Sequence, residues 1–543
     1  MKGLMQDWPL LISRLLVHAE RFHGKVEVVT EAVEGGRHRY TYADCALRTR
    51  KLAQALGKLG IKEGDRVATL AWNTYRHLEL WYAISGSGAV CHTINPRLFP
   101  QQIGYIANHA EDQLIFFDLH FLPIVTGLAE HLPNVKAFVM MTDRSNMPKS
   151  LPENFLCYEE LVEAEDGNYD WPLMDENTAA SLCYTSGTTG NPKGVLYSHR
   201  STVLHAMAIT QKDSFALSAN RPAMPIVPMF HANAWGYPYA CLIVGCKLVF
   251  NGAKFEGEAI HKLIKEEKVC VTAAVPTIWM GLLEYLQKSG EDLKPLKGLG
   301  IGGSAAPPSM IEAFEKLGVW VHHAWGMTET SPVGTMGSMN AETLTWPVAD
   351  QIKLKQKQGR GIFGLEMKIV CDDGKEAPWD GKTFGHLFVR GPWVAKQYFQ
   401  RDDILHDEDG WFDTGDVATI DENGFMQITD RAKDVIKSGG EWISSIDLEN
   451  AAAGHADVKQ AAVIGLPHKK WRERPLLIVV LEEGKKLNKK SILKFIEKRC
   501  AKWWLPDDIV TLDELPHSAT GKVKKNDLRD MFKDHKWPPE EDS

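Results

Sequence analysis

The stretch Y-T-S-G-T-T-G-N-P-K-G occupies residues 184–194 and combines glycines, hydroxyl side chains and one lysine. The segments at 179–184 and 195–197 on either side are typical of short buried strands. Glycines let backbone N–H groups converge on an anion, hydroxyls donate further hydrogen bonds, and Lys193 adds a positive charge. The stretch therefore favours a phosphate-binding loop between two strands, although an ordinary Gly-rich turn is an equally good interpretation of it alone. It is not a Walker A loop, because Pro192 precedes the lysine.

The composition sets the class of protein. The chain has 543 residues, which predicts more than one domain, and its 44% hydrophobic and 24% charged content is typical of a soluble globular protein. A net charge of −8 without a long basic run argues against nucleic acid as a partner. Nine scattered cysteines without a C-x-x-C pair predict reduced thiols and a cytoplasmic location.

No membrane segment is predicted. Asp7, Pro9 and Arg14 interrupt any signal-peptide core at the N-terminus. The long run without charged side chains at 222–246 contains Pro225, Pro228 and Pro238 together with a histidine and an asparagine, which a membrane-spanning helix would not carry. We expect a buried strand, a pocket loop and a helix there.

The order of apolar segments predicts the fold class. From 66 to 141, and again from 224 to 323, strand-like and helix-like segments alternate. This alternation is typical of an α/β fold with doubly wound parallel sheets, whose ligands bind beyond the carboxyl ends of the strands. From about residue 358, frequent glycines predict a small antiparallel β unit. The charged sequence D-R-A-K at 430–433 then leads into a smaller α/β module.

Two further motifs follow predicted strands. The sequence G-G-S-A-A-P at 302–307 offers small residues on which a flat ring can lie, although close helix–strand packing is an alternative explanation. The sequence W-G-M-T-E at 325–329 puts an aromatic ring, which can stack on a base, before Thr328 and Glu329. Glu329 offers a hard oxygen ligand to Mg²⁺, with a solvated surface glutamate as the alternative.

Three motifs lie nearer the C-terminus. They are F-D-T-G-D at 412–416, D-R-A-K-D-V-I-K at 430–437 with S-G-G-E-W-I after it, and P-H-S-A-T-G-K at 516–522. Each is weak evidence alone, because T-G-D triplets, charged linkers and Gly-Lys pairs are common. Their order and spacing carry the argument.

In this order the motifs resemble those of the adenylate-forming superfamily, which includes acyl-CoA synthetases, luciferases and the adenylation domains of peptide synthetases. The resemblance covers about residues 10–525. The matches at 72–79, 92–100, 108–112 and 438–445 are W-N-T-Y-R-H-L-E, H-T-I-N-P-R-L-F-P, N-H-A-E-D and S-G-G-E-W-I-S-S. They resemble bacterial medium- and long-chain fatty acyl-CoA synthetases and 3-methylmercaptopropionate-CoA ligases.

The resemblance implies which residues form each site, with Trp325 standing where the family usually has tyrosine. The residues for ATP or AMP are Thr185, Ser186, Gly187, Thr188, Thr189, Gly190, Lys193, Gly303, Ser304, Ala305, Trp325, Gly326, Met327, Thr328, Asp416 and Arg431. Those for the acyl group are His231, Trp235, Gly302, Pro332 and Val333, and those for the hinge and coenzyme A are Lys433, Lys437, Gly439, Gly440, Glu441 and Trp442. The metal ligands are Thr185 and Glu329, and the catalytic residues are Lys522, Glu329 and His231.

Individual roles follow from the resemblance. Asp416 and Arg431 would bind the ribose hydroxyls, and Lys522 would bridge the substrate carboxylate and the α-phosphate. His231 stands where amino-acid-activating relatives carry an aspartate, so an amino-acid substrate would lack a partner for its ammonium group. Trp235 resembles the gate tryptophan of bacterial fatty acyl-CoA synthetases. For both His231 and Trp235, simple core packing is the alternative.

The implied reaction has two steps and uses Mg²⁺, ATP and coenzyme A. A carboxylate attacks the α-phosphate, giving acyl-AMP and pyrophosphate, and the thiol of coenzyme A then displaces AMP. The resemblance implies a large N-terminal domain at 1–430 and a C-terminal domain at 431–543 that rotates about Lys433. It also suggests a homodimer through the N-terminal domain and, by analogy alone, an acetylation switch at Lys522.

Several alternatives remain open. A luciferase-like oxygenase would keep the same motifs, as would an adenylation enzyme that loads a carrier protein, although no carrier domain follows in this chain. The acyl substrate is 3-methylmercaptopropionate, another short- or medium-chain acid, or a long-chain fatty acid.

Overall fold

The structure is a computed structural model that describes residues 1, 3–185, 191–438, 441–517 and 523–538. The α-helices within these residues are α1 (Ile12–His23), α2 (Tyr42–Lys58), α3 (Tyr75–Gly86), α4 (Pro100–Ala110), α5 (Leu122–Leu128), α6 (Tyr158–Glu163), α7 (His199–Ile209), α8 (Tyr237–Val244), α9 (Gly257–Glu266), α10 (Pro276–Ser289), α11 (Pro308–Lys316), α12 (Val348–Lys355), α13 (Ser445–Ala453), α14 (Lys489–Glu497) and α15 (Lys525–Met531). The strands are β1 (Glu27–Glu31), β2 (Arg37–Thr41), β3 (Arg66–Leu70), β4 (Val90–Thr93), β5 (Leu114–Phe117), β6 (Ala137–Met140), β7 (Phe155–Cys157), β8 (Ala179–Thr185), β9 (Lys193–Ser198), β10 (Ala223–Pro225), β11 (Leu248–Phe250), β12 (Val271–Ala274), β13 (Gly298–Ile301), β14 (Trp320–Gly326), β15 (Val333–Met336), β16 (Arg360–Gly361), β17 (Glu366–Val370), β18 (Gly385–Arg390), β19 (Phe412–Ile420), β20 (Met426–Arg431), β21 (Ile436–Ser438), β22 (Glu441–Ile443), β23 (Val458–His468), β24 (Arg472–Leu481) and β25 (Asp508–Thr511).

Two large sheets form the N-terminal part. One has the order β7-β6-β5-β3-β4-β8-β9 and is parallel except for β9, which runs antiparallel to β8. The other has the order β16-β15-β14-β13-β12-β10-β11-β1-β2, with parallel pairing from β14 to β1 and antiparallel strands at both edges. The predicted α/β fold with parallel sheets is confirmed.

The central strands are apolar, which is typical of parallel sheets that are covered on both faces. Strands β5 (L-I-F-F) and β6 (A-F-V-M) are buried along their whole length, as expected for strands inside a parallel sheet. Helix α2 begins with a capping box, in which the Thr41 and Asp44 side chains each accept from the other's backbone N–H.

Two smaller sheets follow. Strands β17 to β20 form an antiparallel four-stranded sheet, which confirms the predicted β unit. Strands β21 to β25 and helices α13 to α15 form the smaller C-terminal α/β unit, which has hydrophobic clusters of its own. The exact domain limits, 1–430 and 431–543, stay a prediction.

Two local features differ from the sequence expectations. The sequence does not predict the hairpin β1–β2, because strand β2 (R-H-R-Y-T) is rich in charged residues. In the structure Arg37 of β2 pairs with Glu267 at 2.7 Å, which explains why a polar strand is stable there. Trp325 was predicted to lie in a turn after a strand that ends at residue 323. Strand β14 instead continues to Gly326, because its end pairs antiparallel with β15.

The long uncharged run at 222–246 has the predicted form of strand β10, a short 3₁₀ turn and helix α8. No helix in the described part of the chain is long and apolar enough to cross a membrane.

Candidate active site

The site residues come from three sheets that meet at one place. Strand β8 leads into the predicted phosphate loop, β13 and β14 carry the G-G-S-A and W-G-M-T-E motifs, and β19 and β20 carry Asp416 and Arg431. The bond from Trp325 to Asp416 joins two of these sheets, and a bond from Tyr197 of β9 reaches the turn after β14, so motifs far apart in sequence come together.

Asp416 is buried and held by two donors. The indole Nε1–H of Trp325 donates to its Oδ2 at 2.9 Å, and the Nε of Arg431 lies 2.8 Å from its Oδ1. Asp416 and Arg431 are also cross-strand partners in β19 and β20. The predicted ribose pair is therefore brought together, and its carboxylate is oriented by groups from two different sheets.

Glycines make room for Trp325 and for the turn after it. A Cβ at Gly334 would lie 2.7 Å from the Trp325 ring, and one at Gly326 would lie 1.8 Å from the carbonyl oxygen of Pro332. Larger residues at 326 and 334 would therefore displace the indole or the backbone of β15. This explains why the aromatic residue of the motif is followed directly by glycine.

The described ends of the phosphate loop are fixed against each other. Thr185, the last residue of β8, and Lys193, the first of β9, are cross-strand partners. The Tyr184 hydroxyl is 2.7 Å from Nδ1 of His109, and the N–H of Phe399 donates to the Gly194 carbonyl at 2.8 Å. The loop thus starts and ends on a rigid two-stranded base.

Glu329 lies in the short 3₁₀ turn Thr328–Thr330 and is 6% exposed. The Tyr398 hydroxyl donates to its Oε1 at 2.6 Å. The Tyr398 ring also lies under the ammonium of Lys193, with Nζ 4.8 Å from the ring centroid. Burial, followed by the neighbouring Glu329 carboxylate, raises the pKa of Tyr398, so the phenol keeps its proton and acts as a donor.

The proposed adenine segment lies at the end of β13. Gly302 is buried, whereas Gly303 and Ser304 are exposed and Ala305 is half-buried. Gly303 has φ +82°, a conformation that favours glycine. An exposed small-residue ledge next to a buried strand end is compatible with a flat ring lying on the backbone.

The predicted acyl pocket is built on a left-handed turn. Four consecutive residues without a glycine have positive φ: Ala232 (43°), Asn233 (51°), Ala234 (46°) and Trp235 (53°). Each such residue costs about 1 kcal/mol or more, so the surrounding structure must hold the turn. His231, half-buried, immediately precedes it in extended conformation.

The turn aims Trp235 at the backbone of Gly302. A Cβ at Gly302 would lie 2.8 Å from Cη2 of Trp235, so the indole lies directly against this glycine. The ring of Phe215 stacks behind the indole, with centroids 6.4 Å apart and an interplanar angle of 19°. Trp235 is therefore packed in the core against Gly302 and Phe215, and its role as a gate of the acyl pocket stays a prediction.

Buried polar contacts hold this turn and the segment that contains Pro332 and Val333. The Asn233 amide donates to Ser181 Oγ at 3.1 Å and accepts from Cys183 Sγ at 3.4 Å, and both partners lie on β8. The backbone N–H of Val333 donates to Nε2 of His205 at 3.1 Å, and burial lowers the pKa of His205 to about 3. His205 is therefore neutral and can accept this bond.

Pro332 and Met327 belong to the same segment. The N–H of Met327 donates to the Pro332 carbonyl at 3.1 Å, and the Tyr197 hydroxyl donates to the Thr328 carbonyl at 2.6 Å. Residues predicted for the acyl pocket and residues predicted for the nucleotide therefore lie in one hydrogen-bonded segment, 327–333.

The junction predicted as a hinge is a turn between β20 and β21. Lys433 is exposed in it, and desolvation lowers its pKa despite the nearby carboxylate of Asp434. Asp430 accepts from the N–H of Ser445 at 2.8 Å, and Arg529 is 2.7 Å from Asp434. Both ends of the C-terminal unit thus contact this turn.

Lys437 and Trp442 pack against the four-stranded sheet in this structure. The Lys437 ammonium lies 4.9 Å from the Trp442 ring centroid and 3.7 Å from an oxygen of Asp372. The Trp442 ring stacks on Phe384 with centroids 6.4 Å apart. Lys437 and Trp442 therefore contact each other and the β unit. None of their described contacts is with Glu329.

Some predicted residues lie outside the described part of the chain. They are Ser186, Gly187, Thr188, Thr189, Gly190, Gly439, Gly440 and Lys522. Glu441 begins β22, and its side chain is likewise not described. Their roles stay predictions.

Sequence reasoning missed Tyr398, Asn233 and His205. Tyr398 and His205 each form a hydrogen bond with a predicted site residue far away in sequence, and Asn233 forms hydrogen bonds with Ser181 and Cys183 on the strand before the phosphate loop. Asn233 is the asparagine of the uncharged run at 222–246, so its position in the pocket loop could be expected. The local sequence around Tyr398 or His205 gives no sign of their hydrogen-bond partners.

Among the described residues, no group of three or more His, Cys, Asp or Glu side chains could hold a metal ion by itself. A single buried carboxylate such as that of Glu329 suits Mg²⁺, which commonly takes one or two protein carboxylates and completes its shell with phosphate oxygens and water.

Comparison with known proteins agrees with this geometry. Family models match at residues 15–399, "AMP-binding enzyme", and at 447–522, "AMP-binding enzyme C-terminal domain". The chain is 52% identical to 3-methylmercaptopropionyl-CoA ligase of Ruegeria lacuscaerulensis, over 98% of this chain and 99% of that protein. It is 49% identical to medium-chain-fatty-acid–CoA ligase of Ectopseudomonas oleovorans, over 98% of each. The crystal structure of the anthranilate CoA ligase AuaEII with anthranoyl-AMP shares its fold, with a TM-score of 0.85, 22% identity, and coverage of 97% of this chain and 99% of that one.

Proposed function

We propose that this chain, which belongs to the AMP-binding enzyme family and is an acyl-CoA ligase, activates a short- or medium-chain carboxylic acid, with 3-methylmercaptopropionate as the first candidate. The observation that carries the proposal is the position of Trp235, whose indole lies against Gly302 and would there limit the length of the acyl pocket. The names of the two relatives that share about half of its residues support this range of acids.

The first step joins the acid to AMP. A carboxylate oxygen attacks the α-phosphorus of ATP, and the bond from that phosphorus to the bridging oxygen of pyrophosphate breaks. Asp416, oriented by Trp325 and Arg431, accepts hydrogen bonds from the ribose hydroxyls and so fixes the nucleoside. The loop that ends at Lys193 binds the β- and γ-phosphates. Correct orientation of both reactants lowers the entropic part of the barrier.

A mobile cation completes this step. Lys522, in the motif P-H-S-A-T-G-K, would contact the carboxylate and the α-phosphate as negative charge develops. The support for this role is the position of the motif at the end of the matched C-terminal domain.

Glu329 and Thr185 are the proposed protein ligands of Mg²⁺. The metal would neutralise phosphate charge and orient the leaving pyrophosphate when bound. Glu329 is suited to this because its carboxylate is buried and oriented by a hydrogen bond from Tyr398.

The second step transfers the acyl group to coenzyme A. The thiol sulfur attacks the acyl carbonyl carbon, the bond to the AMP oxygen breaks, and the thiol proton is released to solvent. We propose that the C-terminal unit rotates about Lys433 between the two steps. The rotation would withdraw Lys522 from the site and open a tunnel for the pantetheine arm of coenzyme A. At this junction Ser445 and Ser444 of the C-terminal unit donate hydrogen bonds to Asp430 and Thr429 of the neighbouring sheet, and such polar contacts can break and re-form when the unit turns.

Acyl-chain selection would depend on the left-handed turn that carries Trp235. While the turn holds the indole against Gly302, short acids fit best. The strain in the turn favours a second candidate function, activation of long-chain fatty acids, because relaxation of residues 232–235 would move the indole away and lengthen the pocket.

Location and assembly are part of the proposal. All nine cysteines are free thiols in the structure, which suits a reducing, cytoplasmic compartment. We propose a homodimer through the N-terminal part, which is what the family resemblance implies. Light scattering coupled to gel filtration gives the mass directly: about twice the chain mass of 60.8 kDa supports the dimer, and the single-chain mass contradicts it.

The test of the function is coenzyme A-dependent release of AMP from ATP with acids from acetate to palmitate, 3-methylmercaptopropionate and cinnamate. We expect the largest kcat/KM for 3-methylmercaptopropionate or an acid of similar length. A maximum at palmitate would support the long-chain alternative instead. Light emission or oxygen uptake with acyl-AMP would support an oxygenase.

A further inference from the structure

A segment that carries none of the predicted motifs crosses the site. We call residues 391–399 the strap. The Ala395 N–H donates to the Glu329 carbonyl at 2.7 Å, and the Phe399 N–H donates to the Gly194 carbonyl at 2.8 Å. The strap therefore ties the strand that follows the phosphate loop to the turn that carries Glu329.

Tyr398 of the strap contacts the two charged residues that face the triphosphate in the proposed function. Its hydroxyl donates to Glu329 Oε1 at 2.6 Å, and the face of its ring lies 4.8 Å from Nζ of Lys193. The ring packs on the buried side chains of Val195 and Tyr197, which fix its orientation.

This arrangement keeps the opposite charges of Lys193 and Glu329 from neutralising each other. A lysine and a buried carboxylate that share a neighbouring side chain could form a direct ion pair if that side chain were absent, and the pair would occupy both groups before ATP arrives. In the described part of the chain, Lys193 and Glu329 form no direct ion pair, and the Tyr398 side chain contacts both of them. The phenol binds the carboxylate and the ring face attracts the cation, so each is oriented without cancelling the other.

We propose that Tyr398 is a positioning residue that holds Lys193 and Glu329 apart and pre-orients them for Mg·ATP. The inference rests on the proposed role of Glu329 as a metal ligand and of Lys193 as a phosphate ligand. Tyr398 acts through these two residues, because fixing flexible side chains before binding removes an entropic cost from the binding step.

Two variants separate the contributions of the hydroxyl and the ring. Tyr398→Phe removes the bond to Glu329 and keeps the aromatic face under Lys193. Tyr398→Leu removes both and permits Lys193 and Glu329 to pair directly. The matched control is Tyr158→Phe, because the Tyr158 hydroxyl also donates to a buried glutamate, Glu79, at 2.6 Å, in a different part of the protein.

The experiment is isothermal titration calorimetry of each purified full-length variant with ATP plus Mg²⁺, with ATP plus EDTA, and with AMP. Tyr398→Phe is expected to weaken Mg²⁺-dependent ATP binding about 10-fold, as loss of a hydrogen bond to a charged group predicts. Tyr398→Leu should weaken it further. AMP should bind all three variants like the wild type, because AMP depends on Asp416 and Trp325.

Three results would overturn the proposal. If Tyr398→Phe binds Mg·ATP like the wild type, the hydroxyl does not position Glu329. If it loses AMP binding to the same degree, its role is the fold of the whole site. If Glu329→Gln leaves the Mg²⁺ dependence unchanged, the metal-ligand assignment itself fails and the inference falls with it, a result that the Tyr398 variants alone cannot produce.

Discussion

The indole N–H of Trp325 donates to Oδ2 of Asp416 at 2.9 Å, although 91 positions separate the two residues in sequence. The bond joins the nine-stranded sheet to the four-stranded sheet. The residue expected to stack on the base and the residue expected to bind the ribose are therefore one mechanical unit.

Replacement of Trp325 by phenylalanine tests this unit. The variant keeps an aromatic ring but loses the donor to Asp416, so we expect AMP to bind about 10-fold more weakly. Calorimetry with AMP measures this directly. Trp279→Phe is the control, since the Trp279 N–H donates to Ala274 and Gly300 carbonyls at 3.2 Å inside the core; it should change thermal stability and leave AMP affinity intact. Equal AMP affinities for Trp325→Phe and the wild type would show that Arg431 alone orients Asp416.

Asn233→Ala tests the left-handed turn. The change leaves Ser181 Oγ without its donor and removes a residue type that tolerates positive φ, so the turn should relax and free Trp235. We expect the free energy of unfolding to fall by about 1–2 kcal/mol. The ratio of kcat/KM for octanoate to that for butyrate should rise several-fold, as about 1 kcal/mol of lost discrimination implies.

The matched control for that experiment is Asn177→Ala, which removes an exposed asparagine amide bonded to Asp175. It should alter neither the chain-length profile nor the stability appreciably. An unchanged octanoate-to-butyrate ratio in Asn233→Ala would mean that packing on Phe215 is enough to hold Trp235.

His205 predicts a pH dependence of stability. Burial lowers its pKa to about 3, below the ordinary value near 6.5. Below about pH 6.5 the unfolded chain binds a proton that the folded chain does not, so the free energy of unfolding decreases as pH falls from 6.5 toward 3. The expected slope from this residue is about 1.4 kcal/mol per pH unit.

His205→Gln should flatten that dependence, because the glutamine amide oxygen can accept from the Val333 N–H and does not titrate. Urea unfolding at pH 7 and pH 5 measures the difference between the variant and the wild type. Four other buried histidines, His77, His199, His322 and His323, with pKa lowered to about 4, titrate equally in both proteins. Parallel pH curves for the two proteins would argue that His205 is already protonated in the fold.

Lys522→Ala tests the division between the two steps. We expect the acid-dependent exchange of pyrophosphate into ATP to fall by about 10²-fold or more, the usual scale for losing one charge-stabilising group. The conversion of supplied acyl-AMP and coenzyme A to thioester should be nearly unchanged. Lys524→Ala, two positions away and 3.3 Å from Asp527, is the control and should affect neither reaction. Equal losses in both half-reactions would contradict a role confined to adenylation.

The fold class and most of the site could be predicted from the sequence because both have local signatures. Parallel strands are continuous apolar runs, and each motif is a contiguous segment at a strand end. The hairpin β1–β2 escaped prediction because ion pairs, such as Arg37 with Glu267, stabilise it in place of an alternating apolar pattern. The end of β14 escaped because its pairing with β15 is not visible in the residues of either strand.

The sequence by itself determined the α/β architecture, the family and the reaction class, because glycine placement, strand composition and motif order are properties of short segments. The tertiary structure alone decided the partners of those motifs: Tyr398 with Glu329, separated by 69 positions, and Val333 with His205, separated by 128. Such pairs depend on how whole sheets pack together. A side chain's partner is fixed by the position of distant backbone, and local composition carries no information about that position.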